Sequence, residues 1–466
     1  MAIGKRTFWR DNSRGLTDNE RMSTGPSQHW EHAPATLDAL AALTAKLDIT
    51  LDASEDVSCL AHPVRIGERT IPNRLAIHPM EGCDGDADGR PGPLTIRRYE
   101  RLARGGAGLI WAEATAVVPE GRANPRQLWL HTNSADSFSR LVEHIHRCAG
   151  ESTPGHRPYL VLQITHSGRH ARPRPVFLHE DGPAAGPVMS DDELDRLQES
   201  FVAAARLARQ AGFDAVDIKA CHNYLINDLL AAHTRPGRYG GSFENRTRFL
   251  REVVGRIASE LGKDLAVTTR LGIYDGMAWP HGWGVAADGT LRPDLTEPCR
   301  LIDDLRRLGV GLVNITIADP YRLPHLGRPY DRGADGISAG PEHPLMGVAR
   351  MIELVAQVQR TFPDLAVMGT GYSWLRTLLP HVAAAAVAAG KITLMGAGRL
   401  AFAYPDFAAD ILRTGRLDAR KVCIACSACT RIMREGGMTG CAVRDREVYG
   451  PGGSANRLAA AAGEKP

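Results

Sequence analysis

From Pro72 onward a short apolar, β-branched run is followed by polar residues and then by an amphipathic helical pattern, and the cycle repeats eight times. Parallel strands need a helical crossover between them, so this alternation predicts βα units and a parallel sheet. The runs are Leu75–His78, Gly108–Trp111, Tyr159–Ile164, Ala215–Lys219, Leu265–Thr269, Leu312–Ile317, Leu365–Met368 and Ile392–Met395. Directly after them come Pro79–Gly82, Glu113, His166–His170, His222 with Tyr224, Arg270, Asp319, Gly369–Tyr372 and Gly396–Arg399. Eight strands with polar chemistry at their carboxyl ends predict a (β/α)8 TIM barrel, an α/β fold, with its site on that face. A doubly wound sheet fits less well: no G-x-G-x-x-G opens a helix, and Gly105, Gly106 and Gly108 precede a strand.

One repeat shows the local logic. Ser190 and Glu193 form an S-x-x-E capping box, and Leu194, Leu197, Phe201, Ala205 and Ala208 recur on one helical face until Gly212. A chain of 466 residues accommodates such a barrel, which takes ~250, with extensions at both ends. We expect an N-terminal extension over 1–58 with one short helix at Leu37–Leu47, a barrel over 59–415, and a cysteine segment with a flexible alanine/glycine tail over 416–466. A formal charge of +3 is too balanced to point to nucleic acid. Arg6, Arg10 and Arg14 lie among acidic residues with no apolar run after them, so no secretion leader is expected, and no stretch approaches a membrane span.

Cys423, Cys426, Cys429 and Cys441 follow a C-x2-C-x2-C-x11-C spacing. Four soft thiolates select zinc or iron–sulfur over magnesium or calcium. Paired C-x2-C knuckles characterise zinc staples, whereas three close cysteines plus a distant one resemble [4Fe–4S] ligand runs. The other five, Cys59, Cys83, Cys148, Cys221 and Cys299, are scattered, form no disulfide framework and fit a reducing, cytoplasmic setting. On the last two βα units, Gly369-Thr370-Gly371 and Gly396-Ala397-Gly398-Arg399 offer backbone N–H groups and a charge to a phosphate.

These residues resemble the old yellow enzyme family of FMN-dependent barrel oxidoreductases. The likeness rests on Asn73-Arg74 ahead of Pro79-Met80, on Gln163 in Gln163-Ile164-Thr165-His166-Ser167-Gly168-Arg169, and on Tyr239-Gly240-Gly241-Ser242-Phe243-Glu244-Asn245-Arg246, and covers roughly Leu60 to Asp410. The terminal cysteines narrow it to the iron–sulfur branch of 2,4-dienoyl-CoA reductase and trimethylamine dehydrogenase. The resemblance implies FMN held by Pro79, Met80, Glu81, Ala114, Gln163 and Arg270, with Gly371, Gly398 and Arg399 at its phosphate. It implies a [4Fe–4S] cluster on the four cysteines. It also implies catalytic roles for Tyr224 as proton donor, for His222 with Lys219 at the substrate, and for Asp319 as a carboxylate partner of His222.

Departures from the family pattern matter too. Lys219 stands where the family has histidine or tyrosine, the first member of a His/Asn, His/His or Tyr/His pair, and is expected to bind a substrate oxygen or to depress the pKa of Tyr224. Glu81 stands where a small residue passes flavin N5, which argues against covalent attachment there, and Cys83 is expected to be a small buried residue. The insert Tyr274–Gly289, with Trp279, His281 and Trp283, is either an aromatic wall over the flavin or a surface loop. No nucleotide-binding domains of the kind that follow the cluster in that branch are expected. Electrons are therefore expected to pass through the cluster to a ferredoxin-like or flavoprotein carrier, or to arrive from NAD(P)H. The leading expectation is reduction of an activated C=C bond of a small molecule. The alternatives are amine or C–H dehydrogenation with electron export, and a zinc-bound scaffold with no catalysis. A homo-oligomer is compatible with the sequence.

Overall fold

The structure, a computed structural model, describes residues 33–178, 187–336 and 339–461. Arg6, Arg10 and Arg14 lie outside the described residues. A hairpin of β1 (Val64–Ile66) and β2 (Arg69–Ile71) precedes eight parallel strands: β3 (Leu75–Ile77), β4 (Leu109–Ala116), β5 (Tyr159–Thr165), β6 (Ala215–Ile218), β7 (Ala266–Gly272), β8 (Leu312–Thr316), β9 (Ala366–Gly369) and β10 (Leu394–Ala397). They close into a barrel in chain order, with β10 pairing back onto β3 through Met395–Leu75 and Ala397–Ile77. The predicted (β/α)8 barrel is thus the fold. Five strands extend beyond their predicted ends: β5 and β9 by one residue, β10 through Gly396 and Ala397, β4 through Glu113 and Ala114, and β7 through Arg270.

Two apolar cores follow from the two-residue period of a strand. On β5, Leu160, Leu162 and Ile164 pack outward against the helices, whereas Tyr159 and Val161 point into the barrel. Ala76, Leu109, Trp111, Ala215, Leu312, Ala366, Met368 and Leu394 join them inside. Val64 and Ile71 belong to the same inner cluster, so the hairpin plugs the amino-terminal end of the barrel. Arg69 secures it by pairing with Asp214 and donating to the Asp264 carbonyl (3.0 Å).

The capping box forms as read. Ser190 Oγ accepts from the Glu193 N–H, Glu193 accepts from the Ser190 N–H (2.7 Å), and the helix spans Asp191–Gln210. Helix Leu37–Lys46 buries Leu40 and Leu43, and the chain after it bonds to the barrel's last long helix through Ser54 and His381. At the other end, Ser454–Ala461 is helical, with Ala455 buried against Leu94 and Tyr449, rather than an unstructured tail.

The Tyr239–Arg246 run, so specific in sequence, is architectural. Ser242 caps helix Phe243–Leu261, and Arg246 donates to the Leu230 carbonyl (2.5 Å) and to Glu297 (2.7 Å). Nearby, Phe201 is fully buried edge-on to Phe249, with ring centroids 5.6 Å apart. Phe201→Ala should cost about 3–5 kcal/mol in equilibrium urea unfolding, through lost burial and the cavity left behind; a loss under about 1 kcal/mol would show that this helix layer is not tightly packed.

Candidate active site

Toward the carboxyl ends of the strands the inward-facing positions change from apolar to polar. His78 follows Ala76, Gln163 follows Val161, Asp217 and Lys219 follow Ala215, Arg270 ends the inward row of β7, and Asn314 follows Leu312. All are buried. Asp217 organises this layer by accepting from Trp111 Nε1 (2.8 Å), Gln163 Nε2 (2.5 Å) and the Arg270 N–H (2.6 Å). Burial pushes its carboxyl up to about 6, against those three donors. His78 accepts at Nδ1 from Asn314 (3.2 Å) and bonds Thr370 through Nε2 (2.9 Å). Burial and the Arg270 charge keep His78 neutral.

Above this layer lies a cavity of about 1110 Å3 including its open mouth. Pro79, Met80, Glu81, Gln163, Lys219, His222, Tyr224, Arg270, Gly371, Gly398 and Arg399 all line it. Ala114 does not: it is buried in β4, and its carbonyl is taken by Gln127 Nε2 (2.9 Å).

The turn after β6 places two consecutive non-glycine residues, His222 and Asn223, in the left-handed region (φ 65° and 55°). Such a strained pair persists only if its surroundings hold it. Asn227 Oδ1 accepts from the Asn223 N–H (2.8 Å), and Asp319 accepts from Asn223 Nδ2 (2.9 Å) and from the Tyr321 N–H (2.7 Å). Asp319 therefore anchors the turn and is not on the cavity wall, and the expected His222–Asp319 pair is not made. His222 Nε2 instead faces Thr316 Oγ1 at 3.3 Å. Burial, with Arg270 and Lys219 nearby, keeps this imidazole neutral.

Lys219 does not depress Tyr224. Its ammonium lies over the Tyr224 ring, 3.1 Å from the centroid, and bonds Glu81 at 3.2 Å, while the Tyr224 hydroxyl donates to the same Glu81 oxygen (3.1 Å). Burial and the Glu81 charge raise Tyr224 well above the usual phenol range. Tyr321, unnoticed in the sequence, hydrogen-bonds Tyr224 and stacks on His170 at 4.2 Å.

The loop carrying Glu81 is held from below. Glu113, at a register shift in β4, accepts from the Gly82 N–H (2.8 Å) and from Arg98 (2.5 Å), which also pairs with Asp84. Cys83 is buried beside them, and burial and the neighbouring carboxylates raise its thiol.

At the opposite end, Gly371 takes φ 102°, which strains any side chain, and a Cβ there would meet Met351 at 3.1 Å. Arg399 gives Nη2 to the Pro329 carbonyl (2.5 Å), while its buried Nη1 has no partner. The insert Tyr274–Gly289 does not wall the cavity. Trp283 is buried with Nε1 on the Gly272 carbonyl (2.9 Å), and Trp279 is exposed. The cover comes instead from Pro320, Tyr321 and Gly327–Pro329, and from Thr430, Met433, Arg434 and Thr439 of the cysteine segment. Cys423, Cys426, Cys429 and Cys441 line a second cavity of about 360 Å3, which shares Arg399, Phe402 and Cys429 with the first.

His170 gives a pH test of this packing. Burial and nearby cations lower it from 6.5 to about 3. The unfolded chain therefore takes up a proton below pH 6.5 that the folded chain refuses, and stability falls as pH drops through that window. His170→Phe keeps a ring against Tyr321 and removes this loss. Between pH 7 and pH 5 the variant should lose about 2 kcal/mol less unfolding free energy than the parent, measured by urea titration; equal losses would contradict the burial.

Comparison with known proteins agrees with this architecture. The profile of the NADH:flavin oxidoreductase / NADH oxidase family matches residues 60–283. An NADPH dehydrogenase of Halalkalibacterium halodurans is 36% identical over 203 residues, which are 40% of this chain and 56% of that protein. The chain thus spans little more than half of that relative's length. Among solved structures, an old yellow enzyme homologue from Zymomonas mobilis superposes with a TM-score of 0.57 at 22% identity, over 78% of this chain and 94% of that one. A 2-naphthoyl-CoA reductase complex gives 0.67 at 21%, over 84% and 57%. With the closed barrel and the polar layer at its mouth, these matches make the chain similar to the NADH:flavin oxidoreductase / NADH oxidase family over residues 60–283 and to old yellow enzyme homologues in fold.

Proposed function

We propose that this chain is an FMN- and [4Fe–4S]-dependent oxidoreductase that reduces an activated C=C bond. The observation that carries the reading is one shared wall: Tyr224, His222 and Lys219 line the same cavity as Gln163, Arg270, Gly371, Gly398 and Arg399.

The cavity fits a phosphorylated flavin by its unmatched donors. Arg270 Nε and Arg399 Nη1 are buried without partners, at the middle and the glycine end of the cavity. Bound FMN supplies hydride transfer at its N5. Gln163, fixed through its amide nitrogen to Asp217, keeps its oxygen free to accept from the ring's pyrimidine edge. Arg270 brings positive charge to where negative charge accumulates on reduction. Neutral His222 and the Lys219 ammonium orient a substrate carbonyl or carboxyl oxygen. Tyr224, held as a phenol by burial and Glu81, delivers a proton to the carbon that does not receive hydride. The His222–Asp319 pair that supports amine oxidation is not formed, so the amine reading loses its structural support.

The cysteine geometry supports a cluster over zinc. A single zinc draws four sulfurs to about 3.8 Å of one another, given Zn–S bonds of ~2.3 Å. Among the described residues, the only group with three or more ligand atoms all within 4.8 Å is Glu100, His144 and Cys148. The four thiols surround a larger space, next to the flavin cavity. That adjacency suits electron exchange with a ferredoxin-like or flavoprotein carrier, and NAD(P)H at the open flavin face is the other donor.

Two outcomes test this function. Tyr224→Phe should slow alkene-dependent reoxidation by roughly 10²-fold in anaerobic stopped flow while leaving reduction by the donor unchanged; full activity would remove Tyr224 from the proton path. Anaerobically purified protein should carry about four iron and four acid-labile sulfide per chain. Stoichiometric zinc without sulfide would replace the cluster with a structural staple.

A further inference from the structure

Arg399 is not the lone cation at the glycine end of the cavity. Arg328, in the loop after β8, lines the cavity together with Gly371, Ser373, Gly398 and Arg399. Its Nη1 donates to Ser427 Oγ (3.1 Å) and Thr430 Oγ1 (2.8 Å) of the cysteine segment. Its Nε and Nη2 are buried and without partners, as is Nη1 of Arg399. The cations acting most on Arg328 are Arg399 and Arg434, and no carboxylate is among the groups that act most on it. Two guanidiniums that each leave buried donors unmatched in one pocket form a site for a doubly charged, multi-oxygen anion, since unpaired buried donors are costly.

We infer that Arg328 and Arg399 together clamp a phosphate monoester dianion. The proposal rests on the flavin reading above and deepens it by making the phosphate, rather than the ring, the main determinant of which flavin form is retained. Arg399 comes from the helix after β10 and Arg328 from the stretch after β8, so the phosphate would be held by cations on two separate elements. Guanidinium forks suit this role because they present parallel N–H donors to phosphate oxygens. Arg328 also ties that phosphate to Ser427, between Cys426 and Cys429, and to Thr430, directly after Cys429, so the anion braces the cysteine segment.

The test uses the full chain with its flavin removed under anaerobic conditions and its metal retained. FMN and riboflavin are titrated separately by fluorescence quenching. Wild type should prefer FMN strongly. Arg328→Met should cut the FMN-to-riboflavin preference by roughly 10-fold or more, with riboflavin affinity changed less than about twofold. A Ser427→Ala/Thr430→Val variant, which removes the partners but keeps the guanidinium, should retain the preference. An unchanged preference in Arg328→Met, or the same loss in the double variant, overturns the clamp. A wild type that binds both flavins equally overturns the clamp while leaving the flavin reading standing. A wild type that binds neither overturns the flavin reading and the clamp together.

Discussion

Closure of the sheet is the constraint from which the rest follows. Because β10 hydrogen-bonds to β3, the loop that follows the first barrel strand stands beside the loop that follows the last. Pro79–Glu81 and Gly398–Arg399, more than 300 residues apart in the chain, thereby share one wall of the cavity. An open sheet would leave them on opposite edges. The plug of β1 and β2 seals the other end, so water and ligand reach the polar layer through one mouth.

Inside that mouth the chemistry is set by layering. Strands β3, β5, β6, β7 and β8 carry apolar side chains inward at their start and polar ones inward at or just past their end, so the change of solvent character occurs within a few residues. Asp217 is the hinge of this change: one buried carboxylate fixes Trp111, Gln163 and the backbone at Arg270. A second buried acid, Asp319, does comparable work for the strained turn at His222 and Asn223. Neither acid faces the cavity, yet each decides the direction of a side chain that does.

Much of this was legible because it depends on period and position. The eight apolar runs, the capping box at Ser190 and the polar residues after each strand follow from local rules, and they predict the barrel and the face that carries the site. What was not legible depends on contacts between distant segments. Tyr321 and Arg328 enter the cavity from the stretch after β8, which is bonded to the cysteine segment, and Met433 enters from a helix of that segment, and no local pattern marks them. Asp319 and Lys219 were identifiable as polar residues near strand ends, but their partners could not be read, since pairing requires the third dimension. The reach of Glu113 and Arg270 within their strands was recoverable: alternate positions along β7 place Arg270 inward with Ala266. The Tyr239–Arg246 motif carries the opposite lesson, because its specificity comes from a buried arginine and a helix cap that support the barrel wall away from the cavity.

The central claim is that two redox centres occupy adjoining cavities at one end of this barrel, joined through Arg399, Phe402 and Cys429. Anaerobic reductive titration of the purified chain, followed by visible absorption and electron paramagnetic resonance, addresses it most directly. The account predicts uptake of about three electrons per chain, two by flavin and one by the cluster, with magnetic interaction between the two centres when both are partly reduced. A colourless chain that accepts no electrons, or two centres with no magnetic interaction at any stage of reduction, would contradict it.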